Sequence, residues 1–222
     1  MSRIGGVMLS GSGRERRLPW REIQYASLDF ETTGLDPSRD EVVSYGVVPV
    51  RSGRVRIDEG VYRVVDPGVQ VSPKAVSVHG IRPADLTGAP RIAEVAGELR
   101  NALSGSVVVA WTSWVEAAFL ARSLGGRAGS WERHIVDVRR LAAWVSLAEA
   151  GKWDGDATLE ETAKRFEVPF DRAHHALWDA FVTAELFVVL ATRMEQRDQG
   201  EAGRIMWAGR TGPGPQAAAT RA

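Results

Sequence analysis

Polar and apolar residues alternate over residues 23–28, the first strongly patterned stretch of the chain, and this alternation predicts a β-strand. Asp29 and Glu31 follow directly. Because residues two apart on a strand point to the same face, these two carboxylates are expected to lie side by side. The first strand is therefore predicted to end in a pair of acids.

Three further runs predict the rest of a sheet. Residues 42–50 and 55–65 are rich in β-branched residues and flank the turn sequence 51–54, which is typical of a hairpin. With the first strand they would form a three-stranded antiparallel unit. Residues 107–110 are continuously apolar, as expected of a buried strand that follows a crossover helix.

Apolar residues three and four positions apart predict the helices. Ser113 is the predicted N-cap of one helix, and Thr158 with Glu161 matches a capping box at the start of another. Residues 66–90 are rich in Pro and Gly and are expected to form a loop that contains His79. The predicted helices cover residues 91–103, 113–124, the end of 136–147, 158–167 and a long stretch from about 173.

The order of these elements predicts a single α/β domain with a mixed sheet flanked by helices. We expect the domain to cover residues 20–195. Residues 1–19 are rich in Gly, Ser and Arg, and residues 196–222 are polar and rich in Gly and Ala, so both are expected to be flexible tails.

Composition narrows the classes of function. The 222 residues carry 28 basic and 28 acidic side chains, so a general basic surface for nucleic acid is absent, although a local patch is allowed. The chain has no cysteine, which excludes thiolate metal sites and thiol catalysis. No apolar run reaches the length of a membrane span, and the N-terminal sequence is not typical of a secretory signal. A cytoplasmic protein with no membrane partner is the expectation.

Asp29 and Glu31 are the first candidate functional residues. Two adjacent carboxylates repel each other unless a cation lies between them, and an oxygen-preferring ion such as Mg²⁺ or Mn²⁺ would serve. The alternative is a strand end with two solvated acids. His174 and Asp179 flank the start of the last helix, where a histidine beside a metal cluster could act as a general base. The alternative for these two is a capping histidine and a solvated helix aspartate.

The ordered set of motifs resembles the DnaQ-like (DEDDh) 3′–5′ exonuclease family of the RNase H-like superfamily, over residues 23–190. Residues 29–35, Asp-Phe-Glu-Thr-Thr-Gly-Leu, are similar to the first family motif. Residues 78–81, Val-His-Gly-Ile, are similar to its substrate-contacting loop, and residues 174–179, His-His-Ala-Leu-Trp-Asp, to its third motif. The resemblance implies an RNase H-like mixed five-stranded sheet flanked by helices, with residues 20–195 as the exonuclease domain.

The resemblance also implies roles for individual residues. Asp29 would bridge two Mg²⁺ or Mn²⁺ ions, Glu31 and Asp179 would hold the ion that activates water, and His174 would take the proton of that water. Two ions can stabilise both the attacking and the leaving oxygen. The residues expected to contact the terminal nucleotide are Thr32, Thr33, Leu35, His79 and Trp111.

The second motif departs from the family pattern Ala-His-Asn-x-x-Phe-Asp. Here residues 110–116 read Ala-Trp-Thr-Ser-Trp-Val-Glu, so that Glu116 stands where the family has an aspartate and Trp111 where it has a histidine. Glu116 keeps the charge but is one methylene longer, and Mg²⁺ tolerates poor geometry badly. Trp111 either stacks on the substrate or fills the core.

The expected function is therefore metal-dependent 3′–5′ hydrolysis at the 3′ ends of single-stranded DNA or RNA. The alternative from another class is a catalytically weakened member that binds nucleic-acid ends or a protein partner, for which Glu116 and Trp111 are the reason. A third is a hydrolase of small nucleotides or short oligonucleotides on the same fold. A polymerase or other protein partner is not identified by the sequence.

Overall fold

The computed structural model describes residues 2–9, 13–153, 155–171 and 174–210. The strands are β1 (Ser2–Ile4), β2 (Val7–Leu9), β3 (Tyr25–Thr32), β4 (Val42–Arg51), β5 (Arg54–Val55), β6 (Val61–Val64), β7 (Val107–Ala110) and β8 (Ile135–Asp137). The α-helices are α1 (Pro73–His79), α2 (Ile92–Leu103), α3 (Ser113–Leu124), α4 (Ala128–Glu132), α5 (Val138–Ala150), α6 (Leu159–Arg165), α7 (Ala176–Glu195) and α8 (Ala202–Ala208).

The main sheet has five strand positions in the order β5/β6, β4, β3, β7 and β8. β3 pairs antiparallel with β4 but parallel with β7, and β7 pairs parallel with β8. The outer edge of β4 carries both β5 and β6, which are separated by a short 3₁₀ turn at Ile57–Glu59. The predicted α/β class with a mixed five-stranded sheet is confirmed.

The two faces of β3 differ because its side chains alternate. The even-numbered residues 26–30 are buried in one core cluster together with apolar residues of α2 and α3. The odd-numbered residues 25–31 lie on the other face, under α7, where the rings of Tyr25 and Phe187 lie 4.5 Å apart. This second face is apolar at the start of β3 and acidic at its end, so α7 covers both a core and the candidate site.

Glycine at position 46 lets α7 lie directly on the sheet. Gly46 pairs with Asp29 across the β3–β4 ladder. A Cβ atom at Gly46 would lie well inside van der Waals contact with the backbone of Ala176 and Leu177. The start of α7 therefore rests on the backbone of β4 beside Asp29.

The segments expected to be flexible tails are packed where the structure describes them. Val7 of the β1–β2 hairpin is fully buried, and the guanidinium of Arg100 donates to the carbonyl of Gly5 (3.0 Å). Helix α8 buries Ile205 and Met206 in the core cluster to which α5 and α7 also contribute. These contacts contradict the expectation of flexible tails. The few apolar residues of a short helix are a weak signal in a segment that is mostly polar. The other tail residues, 1, 10–12 and 211–222, lie outside the described residues.

Two local expectations were wrong. Residues 66–90 are not entirely loop, because Ser72 caps the helix α1 through a hydrogen bond from the backbone of Ala75 (3.1 Å). Thr112, not Ser113, is the N-cap of α3, and its side chain makes no capping hydrogen bond. The capping box of Thr158 and Glu161 at the start of α6 is confirmed. The predicted start of the last helix at residue 173 falls outside the described residues.

Among the described helices, none is both long and apolar enough to cross a lipid bilayer.

Candidate active site

The topology of the sheet gathers acids at one edge. β3, β7 and β8 run parallel, so their C-terminal ends meet at the same edge of the sheet. Asp29 and Glu31 lie at the end of β3, Glu116 lies in the first turn of the helix that follows β7, and Asp137 ends β8. The acids therefore converge although the first and the last of them are more than 100 residues apart in sequence.

A change of register fixes the end of β3. Glu31 pairs with Ser44 and Thr32 with Val42, so one residue of β4 is left over in a β-bulge between the two pairs. Thr33 then closes the turn: its hydroxyl donates to Asp40 (3.0 Å) and accepts from the backbone of Glu41 (3.1 Å). The bulge ends regular pairing immediately beyond the acidic pair.

Asp179 and His174 come to this edge from α7. The backbone N–H of His174 donates to Oδ2 of Asp179 (2.8 Å), which ties the start of α7 to its first-turn aspartate. Glu31, His174 and Asp179 each offer a ligand atom within 4.8 Å of the others, a spacing that could hold a metal ion. Glu31 and Asp179 are buried, whereas His174 is exposed to solvent.

Burial raises the pKa values of all four acids, and repulsion within the cluster adds to this at Asp29 and Glu31. The pKa of Asp29 is well above its ordinary value because of burial and the charges of Glu31, Glu116 and Asp179. Burial raises the pKa of Glu31 to about 8, with a further contribution from Asp179, and raises the pKa of Glu116 to about 8. Burial also raises the pKa of Asp179 to about 6, against the opposing effect of His174. Such a cluster favours an added cation.

Two carboxylate oxygens of the cluster are buried without a described partner. Oε2 of Glu116 and Oδ1 of Asp179 are buried and have no hydrogen-bond partner among the described residues. Burying a carboxylate oxygen without a partner costs free energy. A group outside the described residues, such as a cation, is therefore expected to bind both oxygens. The donors are oxygen atoms with one histidine, a set that fits Mg²⁺ or Mn²⁺.

The predicted substrate-contacting residues lie in different environments. Leu35 is 68% exposed just beyond β3, which is unusual for a leucine. His79 is buried at the end of α1, and burial and the nearby His174 lower its pKa. Trp111 is half-buried and packs against the main core cluster. Thr32 is half-buried, and its hydroxyl donates to the carbonyl of Gly34 (2.6 Å).

Sequence reasoning missed Asp137 and Gly46. Asp137 is buried, accepts from the backbone N–H groups of Ser113 (3.0 Å) and Arg140 (2.9 Å), and so joins the starts of α3 and α5. Its charge also acts on Glu116. An aspartate directly after an apolar strand was a usable signal. The role of Gly46 depends on a long-range contact and left no signal in the sequence.

This fold, with acids at the ends of its parallel strands, defines a class of metal-dependent nucleases, and the comparison with known families agrees. The family described as RNase_T: Exonuclease matches residues 27–187, well over half of the chain. The chain belongs to this exonuclease family, which is DnaQ-like and lies in the RNase H-like superfamily. The resemblance inferred from the motifs is confirmed. The family depends on divalent metal ions.

Individual relatives carry the names of DNA polymerase III proteins. The chain is 33% identical over 176 residues to "DNA polymerase III PolC-type" of Thermotoga maritima, covering 79% of this chain and 12% of that protein. It is 30% identical over 204 residues to "DNA polymerase III subunit epsilon-like protein" of Rhodobacter capsulatus, covering 89% of this chain and 28% of that protein. The chain thus spans a small part of these relatives.

A solved structure shares the fold. The structure of E. coli Exonuclease I in complex with a dT13 oligonucleotide superposes with a TM-score of 0.65 at 19% identity. The match covers 79% of this chain and 42% of Exonuclease I. At this level of identity the similarity is one of fold.

Proposed function

We propose that this chain is a divalent-metal-dependent 3′–5′ exonuclease that hydrolyses phosphodiester bonds at the 3′ ends of single-stranded nucleic acid. The observation that carries the proposal is the convergence of Asp29, Glu31, Glu116 and Asp179, without a cationic side chain among their described contacts, beside His174. Membership of the exonuclease family supports the reaction class. The dT13 oligonucleotide bound by Exonuclease I supports the substrate class.

The four acids are the residues that would hold the metal ions. The unpartnered oxygens of Glu116 and Asp179 and the raised pKa values fit a site built for positive charge. When bound, two Mg²⁺ or Mn²⁺ ions would stabilise developing negative charge on the phosphate and lower the pKa of water. The protein fixes the acids through the end of β3 and the first turns of α3 and α7.

His174 is proposed as the group that takes the proton from the attacking water. An imidazole gains and loses a proton near neutral pH, and this one is exposed at the edge of the acid cluster. Its ring also lies close enough to Glu31 and Asp179 to serve as a metal ligand instead. The two roles differ in their consequences, because a ligand change lowers metal affinity whereas loss of a base lowers turnover.

The substrate contacts are proposed from position and exposure. The exposed Leu35 would pack against the terminal base, an apolar contact that is tolerant of sequence. His79, whose buried Nε2 has no described partner, would contact the sugar or base. The backbone at Thr32 and Thr33 would approach the terminal nucleotide, and Trp111 would stack or fill the core.

The test is degradation of a 5′-labelled single-stranded oligonucleotide, supplied as DNA and as RNA, with Mg²⁺, Mn²⁺ or EDTA. The expected result is a metal-dependent ladder that shortens from the 3′ end and is absent for Asp29→Ala. No cleavage with either metal, by protein shown to be folded, would contradict the proposal. A series of substrate lengths would separate this activity from hydrolysis of small nucleotides.

The second candidate is a catalytically weakened member that binds nucleic-acid ends or a protein partner. It is favoured by Glu116 and Trp111, which replace the aspartate and histidine of the family motif. Equal binding of a 3′-ended oligonucleotide by the wild-type protein and Asp29→Ala, without cleavage by either, would support it. The polymerase relatives also motivate a test for association with a DNA polymerase.

The role of His174 has its own test. We expect His174→Ala to lower turnover by about 10²–10⁴-fold with little change in Mn²⁺ affinity, because a general base contributes about that much. Mn²⁺ affinity would be measured by calorimetry on the same protein samples. A large loss of affinity would assign His174 as a ligand, and unchanged turnover at neutral pH would exclude it as the base.

A further inference from the structure

The backbone at His174 adopts a conformation that needs external support. Its φ is +61°, in the left-handed region that residues other than glycine seldom occupy. A residue in this region stays there only where its surroundings hold it. The hydrogen bond from its N–H to Asp179 (2.8 Å) is one restraint, but it acts only on the side of α7.

A second restraint lies on the neighbouring residue. The ring of Tyr62, on β6, stacks on the imidazole of His175 with the ring centroids 4.5 Å apart and the planes 22° apart. His175 is the N-cap of α7, and its carbonyl accepts from the backbone N–H groups of Trp178 (2.8 Å) and Asp179 (2.9 Å). Tyr62 therefore packs against His175, which links His174 to α7, the helix that carries Asp179.

The register of the sheet explains why Tyr62 reaches this place. Tyr62 pairs with Gly46 across β6 and β4, and Gly46 pairs with Asp29 across β4 and β3. Directly paired residues of antiparallel strands share a face, so Tyr62 lies on the face that carries the acids. Burial raises the pKa of Tyr62, and the charge of Glu31 adds to this, which agrees with a phenol beside the acid cluster.

We infer that Tyr62 is a positioning residue for His174: its ring holds His175 and thereby fixes the backbone and the imidazole of His174 at the acid cluster. The inference rests on the proposed exonuclease function, in which His174 takes the proton from water. Tyr62 belongs to the edge strand, is half-buried and is not a member of a core cluster, so its replacement leaves the core intact.

The first experiment compares Tyr62→Leu with Tyr62→Phe. We expect Tyr62→Leu to lower kcat about three- to tenfold, with KM unchanged, because an aromatic pair of this kind contributes a correspondingly small free energy. Tyr62→Phe keeps the stacked ring and is expected to retain wild-type turnover. His175→Ala is expected to reproduce the loss seen in Tyr62→Leu, and the two changes together to add nothing.

A double-mutant cycle with His174 tests whether Tyr62 acts through His174. In the His174→Ala background, Tyr62→Leu should cause no further loss, because the group that it positions is already gone. Trp207→Leu is the matched control: it removes the exposed partner of another aromatic pair, Trp144–Trp207, neither of whose members is a candidate site residue. This control is expected to leave kcat unchanged in both the wild-type and the His174→Ala background.

A spectroscopic measurement does not depend on activity. The chain has four histidines, so their ring resonances can be assigned with single substitutions. The ring current of Tyr62 should shift the His175 ring protons upfield in the wild-type protein and in Tyr62→Phe. In Tyr62→Leu that shift should be lost, and the backbone amide resonance of His174 should move.

Three outcomes would overturn the inference. These are full turnover in Tyr62→Leu, a full additional loss in the His174→Ala background, and unchanged His174 and His175 resonances in Tyr62→Leu. An inactive wild-type protein would overturn the proposed function instead. The resonances would then decide separately whether Tyr62 holds His174.

Discussion

Glu98 and Glu31 show two opposite environments for a carboxylate in the same protein. Glu98, on α2, accepts hydrogen bonds from the guanidinium of Arg63 (3.2 Å from Nε) and the hydroxyl of Tyr45 (2.7 Å), and these bonds lower its pKa. Glu31 has no arginine or lysine partner among the described contacts. Burial and the neighbouring Asp179 raise its pKa to about 8.

Other carboxylates on the surface pair with arginine, as Glu98 does. Arginine–carboxylate pairs recur across the fold, namely Arg21–Glu195, Arg51–Glu59, Arg122–Glu41 and Arg193–Glu149. The acid cluster at the end of β3 and the starts of α3 and α7 has no such arginine partners among the described contacts, although arginine is abundant in the sequence. A site whose acids have no cationic partner among the described residues is suited to a cation from solution.

The largest expected effect comes from removing the charge of one acid in the cluster. Asp29→Asn should lower kcat/KM by about 10³-fold or more, because the metal-holding charge is lost. In EDTA the same variant should be more stable than the wild-type protein by about 1 kcal/mol, because repulsion among the buried acids is relieved. Nuclease assays and thermal unfolding of the same samples would measure both.

Glu98→Gln is the matched control for that substitution. It should keep the activity and lose up to about 1 kcal/mol of stability, since its ion pair with Arg63 is partly exposed. Opposite signs of the stability change in the two variants are the essential result. If both variants lost stability in EDTA, the contrast between the two environments would be wrong.

The next effect concerns the glycine that lets α7 approach the acids. Gly46→Ala should lower the free energy of unfolding by about 1–3 kcal/mol, because the new Cβ overlaps the backbone of Ala176 and Leu177. Turnover should fall up to about 100-fold, because Asp179 is displaced from Asp29. Denaturant unfolding and turnover in excess Mn²⁺ would be measured together.

Gly97→Ala provides the comparison within a helix. Apart from the nearby backbone of α2 itself, no atom of the described residues lies within 4 Å of a Cβ placed at Gly97. This change should therefore stabilise the protein by about 0.5–1 kcal/mol with unchanged turnover. Equal behaviour of the two alanine variants would mean that the close approach of α7 to Gly46 does not position Asp179.

A smaller effect is expected for Glu116→Asp. Glu116 is only 4% exposed, so the shorter side chain would leave its carboxylate away from the other acids. We expect a loss of about tenfold in turnover with Mg²⁺, because a displacement of this size weakens the site. The loss should be smaller with Mn²⁺, since Mg²⁺ demands stricter geometry. A rise in activity would show instead that the glutamate weakens the natural site.

The last prediction needs no substitution and concerns the pH dependence of stability without metal. Glu31 and Glu116 have an ordinary pKa of 4.5 and folded-state values of about 8, so between these pH values the folded protein retains protons that the unfolded chain releases. Stability should therefore fall as pH rises from about 5 to 8, by about 1 kcal/mol per pH unit. Thermal unfolding in EDTA across this range measures the slope.

Added Mg²⁺ or Mn²⁺ should reduce or reverse that slope, because binding favours the deprotonated acids. Glu98 contributes no slope in the same range. Its lowered pKa gives stability that is lost only as pH falls below its ordinary value of 4.5. A metal-free protein whose stability is constant from pH 5 to 8 would contradict the description of the acid cluster.

Much of the fold could be predicted from local patterns. The strand over 107–110 and the capping box at Thr158 follow directly from apolar runs and helix-start residues, and the structure has both. The helix α1 and the packed segment around α8 were missed because short helices with mixed composition have weak periodicity. Their stability comes from tertiary contacts, such as the pairing of residues 18–20 with residues 200–202.

The sequence by itself determined the acids, their order and the elements that carry them, because strand alternation and helix spacing are local properties of the chain. It placed Asp29 beside Glu31 for this reason. The tertiary structure alone decided that Asp179 reaches them, since this depends on the contact of α7 with Gly46. It also decided the burial that raises the pKa of Glu116 and the stacking of Tyr62 on His175. Burial and contacts between distant residues exist only once the whole chain has packed.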